Sequence, residues 1–120
     1  MSNEMHVDHR LAPRWAAQST VSVFRHDTKE YIGLLVDCSE SGIMLSSYEQ
    51  IAPGTELDLD LVDVPANINT RRTGTCHAKV VWCDKLTPSL FANGCQISAA
   101  DDMLNTMFHC YADQHKSSNG

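Results

Sequence analysis

Long apolar runs are missing from this chain of 120 residues. The longest, around Gly33-Leu34-Leu35-Val36, falls far short of the roughly 20 residues that cross a bilayer, so no direct membrane insertion is expected. Basic charge is scarce as well. Nine Lys and Arg stand against fifteen Asp and Glu, a formal net charge of -6, which disfavours nonspecific binding to DNA, RNA or anionic lipid. An anionic ligand therefore has to be met by a local cluster of cations. Gly and Pro are few and scattered, which excludes collagen. With 42% hydrophobic and 20% charged residues, the composition excludes wholesale disorder. Met1 to Arg14 has no apolar segment of the kind a secretory signal needs, so a cytoplasmic location is expected. Cysteines do not come in an even set. Cys38, Cys76, Cys83, Cys95 and Cys110 suit thiols packed as small apolar groups in a reducing compartment, not a disulfide framework.

What is present is period-two alternation, followed by one change of period. Val21 and Val23 alternate with Thr20 and Ser22 in the segment Ser19 to His26, and Tyr31 to Asp37 is an aliphatic strand ending in a polar bend. Ile43 to Ser46 resumes as a short strand. Thr55 to Val62 sets Leu57, Leu59 and Leu61 against Glu56, Asp58 and Asp60, an acidic outer face extended by Asp63. Thr73 to Asp84 aligns Cys76, Ala78, Val80 and Trp82 on one side, and Phe91 to Ser98 completes six strands. Met103, Leu104, Met107, Phe108 and Tyr111 then follow a helical stripe, with Ser98 and Asp101 at capping-box spacing, predicting a helix from about Asp101 to Gln114. Six short strands in so small a chain hide their edges best by closing into a barrel.

Two motifs carry chemistry. Arg10-Leu11-Ala12-Pro13-Arg14 places two guanidinium groups four residues apart, and Pro13 keeps the segment extended, so same-side groups lie roughly 13 Å apart. Planar guanidinium forks suit phosphate oxygens and guanine O6 and N7, and their faces stack on bases. Taken alone, two such arginines are more often solvated surface charge. Asp37-Cys38-Ser39-Glu40-Ser41-Gly42 sits where one strand ends and the next begins. Asp37 can accept from guanine N1 and N2, Ser39 can donate or accept, and Gly42 admits a close backbone approach or a positive φ. Alone, this too reads as a simple hairpin turn.

Together, in this order and in an all-β chain, the R-x-x-x-R and D-x-S-x-x-G motifs resemble the PilZ domain family from Arg10 to about Ile97, with Gly94-Cys95-Gln96-Ile97 as its late strand and Ile97 in place of the usual Phe. The resemblance implies a six-stranded antiparallel β-barrel with a C-terminal α-helix that receives cyclic di-GMP, a bacterial second messenger, without catalysis and without a cofactor. By motif position Arg10 and Arg14 would clamp guanine and phosphate, while Asp37, Ser39 and Gly42 would seat the other guanine. His9 and Trp15 are further ligand candidates, Trp15 being either a lid over the ligand or a plug in the barrel end. The implied organisation is a flexible segment 1–9, a barrel domain 10–114 and a disordered tail 115–120. The N-terminal arm would order over the ligand and so signal to an unidentified effector protein. The alternative is an adaptor of the same fold that binds protein and no nucleotide.

Other residue groups point less far. Cys76 and Cys83, seven apart on one predicted strand, should face opposite ways, and His6, His9, His109 and Cys110 lack further ligands, so no metal site is expected. Ser39 has no nucleophile elbow, which argues against a hydrolase.

Overall fold

A computed structural model of the chain describes the backbone of residues 15–16, 20–63 and 71–119, and the side chains of 20–63 and 71–113. Strands β1 (Trp15–Ala16), β2 (Val21–Arg25), β3 (Tyr31–Cys38), β4 (Gly42–Ser47), β5 (Glu56–Asp63), β6 (Arg72–Thr87) and β7 (Leu90–Ala100) precede helix α1 (Asp102–Asn119). All pairings are antiparallel. The sheet order is β1-β3-β2-β5-β6-β7-β4, and an additional β3–β4 pairing closes six strands into the expected barrel. β1 is a short seventh strand that pattern alone did not reveal.

Each strand presents its alternating apolar residues inward. Val21, Val23, Leu35, Leu45, Leu57, Leu59, Leu61, Ala78 and Val80 form the core, and each buried Leu or Val contributes roughly 1.5–3 kcal/mol. The helix closes this interior. Leu104, Met107, Phe108 and Tyr111 are buried in the same cluster. Its backbone approaches β6 so closely that a Cβ at Gly74 would lie 2.6 Å from the Leu104 Cα. The helix cap is Asp101, whose carboxylate accepts from the Leu104 N–H at 2.9 Å and the Thr75 N–H at 3.1 Å. Ser98 takes no part in a capping box; its hydroxyl donates to the His77 carbonyl. The helix runs to Asn119, past Gln114 and into the residues read from sequence as a tail.

Bulges bend the strands and alter which way side chains point. On β6, Val80 pairs with Cys95 and Trp82 with Gly94, leaving Val81 as an extra residue. Beyond that point strict alternation fails. Cys83 therefore stands opposite the fully buried Asn93 and shares the inner side with Cys76, contrary to the seven-residue spacing argument. Trp82, grouped by sequence with Cys76, Ala78 and Val80, is turned to the outer face. β3 carries an extra residue against each neighbour, Ile32 against β2 and Val36 against β4.

The expected acidic face is also revised. Asp63 continues the inward parity of Leu57, Leu59 and Leu61 and is 1% exposed. Arg72 holds it with two parallel bonds, Nε to Oδ1 and Nη2 to Oδ2, both 3.0 Å, and the Tyr111 hydroxyl donates to Oδ2. Asp60 is buried among His26, Lys29 and Thr75. Burial would raise its carboxyl, but hydrogen bonds from those three groups outweigh this and hold it below the ordinary value.

Candidate ligand site on the barrel surface

β3 ends by delivering Asp37 and Cys38 to opposite sides of the sheet: Cys38 is fully buried in the core and Asp37 is half-buried on the outside. The bend that follows is tied down by its own backbone. The Ser39 N–H donates to the Gly42 carbonyl at 2.8 Å, with the Ser39 hydroxyl 3.5 Å from the same oxygen. The Ser41 carbonyl accepts from the Ile97 N–H at 2.8 Å, fastening the bend to β7.

Gly42 is required for a reason other than a positive φ, which among the described glycines only Gly54 adopts. A Cβ at Gly42 would stand 2.9 Å from the Cys95 carbonyl oxygen. Its contribution is close strand packing that sets the bend against β7. Ile97, where the family pattern has Phe, is partly buried against the core, as a packing residue should be.

β1 pairs with the other edge of the same segment, Trp15 opposite Cys38 and Ala16 opposite Asp37. The chain directly after the R-x-x-x-R motif is thus hydrogen-bonded to the strand that begins the D-x-S-x-x-G motif. His9, Arg10 and Arg14, and the side chain of Trp15, lie outside the described residues.

The register extends Asp37 into a row across the outer surface. Asp37 pairs with Met44, Met44 with Gly94, and Gly94 with Trp82. A Cβ at Gly94 would lie 2.1 Å from the Trp82 Nε1, so the missing side chain is what lets the indole cover β7. A carboxylate, a thioether and an indole face thereby line up on one side of the barrel, suited to the polar edge and the flat face of a purine. The sequence pattern missed Trp82 and Met44 because the bulge at Val81 and the cross-strand register are both tertiary features. The pairing of a lone Gly with a bulky aromatic on neighbouring strands is the signal that could have found them. Among the described residues no group of three or more His, Cys, Asp or Glu is placed to hold a metal ion.

Comparison with known proteins decides the family. The model of the PilZ domain matches residues 8–112. The chain belongs to the PilZ domain family. A solved structure, "Structure of Bacillus subtilis Inhibitor of motility (MotI/DgrA)", is similar at a TM-score of 0.64 and 14% identity, over 88% of this chain and 50% of that one. The present chain therefore spans about half of that protein's length, and at this identity the likeness speaks for the PilZ fold. No curated protein sequence matches significantly.

Proposed function

We propose that this PilZ domain is a receptor for cyclic di-GMP, held between the N-terminal arginine segment and the outer surface around Asp37. The observation that carries the reading is the β1–β3 pairing, because Trp15 lies opposite Cys38 and Arg14 is one peptide unit, about 3.8 Å between Cα atoms, before Trp15. That is well within the reach of an arginine side chain to a ligand resting on Asp37.

In this reading Asp37 accepts from N1–H and N2–H of one guanine, Ser39 adds a hydroxyl contact, and Gly42 supports the bend. Arg10 and Arg14 give paired hydrogen bonds to phosphate and to the guanine edge. With a net charge of -6 on the chain, these local cations must offset general repulsion of a dianion. Trp82 and Met44 offer the apolar surface beside Asp37. The arm orders as the ligand binds, and the changed surface is what an effector protein reads.

Titration calorimetry with cyclic di-GMP tests the proposal. Binding is expected for the native chain and loss of at least tenfold in affinity for Arg14→Ala and for Asp37→Ala. No heat of binding for the native chain, in a protein whose amide spectrum shows it folded, would leave the nucleotide-free adaptor as the correct description.

A further inference from the structure

We infer that the outer cleft between Tyr31 and Tyr48 is a docking site for an arginine or lysine side chain presented by a protein partner. The inference stands apart from the nucleotide reading, since it uses the opposite end of β3, roughly 20 Å from Asp37 at 3.3 Å per residue.

Aromatic residues make up only 7% of this chain, and three of them stand in a row outside the barrel. Phe24 and Tyr31 meet edge to face with centroids 5.5 Å apart, and Tyr31 and Tyr48 are tilted by 43° at 6.3 Å. Tyr31 is 44% exposed and Tyr48 62%. The two tyrosines flank a cleft that Ile32, Ser47 and Ile51 also line, together with Glu30 and Glu49. Ring faces are negative and so are carboxylates, so the common complement of these groups is a cation.

Arg25 lines the cleft, with its Nε 3.3 Å from Glu30 Oε1. Glu49, which lines the same cleft, has no ion-pair partner among the described residues, which leaves one carboxylate for an incoming cation. The mount is preorganised from within the barrel: Ser47 Oγ donates to the Glu49 carbonyl at 2.7 Å, and the buried Asn93 Nδ2 donates to Ser47 Oγ at 2.8 Å. Along β3 the exposed Leu34 and Val36 continue the surface toward Asp37, giving a partner apolar area to cover beside its anchoring cation. The net negative charge of the chain attracts a basic partner on approach.

The test is an amide chemical-shift titration of the full chain with two blocked peptides, Ac-Ala-Arg-Leu-Arg-Ala-NH2 and its counterpart carrying Glu for Arg. Saturable shifts confined to the neighbourhood of Tyr31, Tyr48 and Glu49 are expected for the arginine peptide and none for the glutamate peptide. The double variant Tyr48→Ala, Glu49→Gln should weaken the arginine peptide at least fivefold while leaving the thermal midpoint and cyclic di-GMP binding unchanged. The inference is overturned by absence of localised shifts at 10 mM peptide, by shifts scattered over every acidic surface, or by equal response to the glutamate peptide. A native dimer that Tyr48→Ala converts to monomer in sedimentation would overturn it too, assigning the patch to a second copy of the chain.

Discussion

Asp63 at the end of β5 and Tyr111 on the helix share a hydrogen bond inside the barrel, and Arg72 grips the same carboxylate through two further bonds of 3.0 Å. The bonds to Asp63 raise the Arg72 pKa above its ordinary value, so the guanidinium keeps its charge. This arrangement fixes the helix to the β5–β6 end of the barrel at a point where Asp63, Arg72 and Tyr111 bond to one another.

Breaking it from one side should be costly. Arg72→Ala leaves a buried carboxylate without its cation, and an expected loss of about 3–5 kcal/mol in urea unfolding follows. Tyr111→Phe removes one donor only, with a smaller loss of about 1–3 kcal/mol. Equal losses from the two variants would contradict this division.

Trp82 gives a prediction for binding. If its indole meets a guanine, Trp82→Ala should weaken cyclic di-GMP by about 5- to 150-fold, the equivalent of roughly 1–3 kcal/mol for one stacked base. Trp82→Phe should retain part of the affinity. Gly94→Ala, by crowding the ring from below, should shift the tryptophan emission and lower affinity with Trp82 itself intact.

Two hydrogen-bonded groups, the partly exposed His77 and the buried Asp60, set opposite pH dependences. His77 Nδ1 lies 2.8 Å from Asp58 and Nε2 2.7 Å from Glu56, and these hydrogen bonds raise its pKa above 6.5. Its stabilising contribution is complete below 6.5 and disappears as pH rises through the higher folded-state value. Asp60 has a lowered pKa, so its contribution is complete above 3.8 and is lost as pH falls through the folded-state value. An imidazole titration by NMR should place His77 above 6.5, and Asp58→Asn should bring it back toward that value.

Thiol reactivity should follow burial. Burial pushes the Cys76 thiol up to about 12 and Cys95 up to about 11, while Cys83 is half-exposed. Under native conditions at pH 8 iodoacetamide should modify Cys83 well before Cys76 or Cys95, as peptide mass spectrometry would show. Early labelling of Cys76 would mean that the barrel opens there.

Much of this molecule was legible from residue order. Alternating Leu57, Leu59 and Leu61 determined an inner face, the stripe Leu104, Met107, Phe108 and Tyr111 determined a helix, and the two motifs determined the family, because strand and helix periods and local turn chemistry act over a few neighbouring residues. Only the tertiary structure decided that Trp82 joins Asp37 outside the barrel, that Asp63 lies within it, and that β1 binds beside the polar bend. The first and third depend on a bulge and a cross-strand register, settled by closing the sheet around one core, where a single extra residue reverses every side chain beyond it. Asp63 keeps the alternation of Leu57, Leu59 and Leu61, and what the fold adds is Arg72 and Tyr111 as its partners.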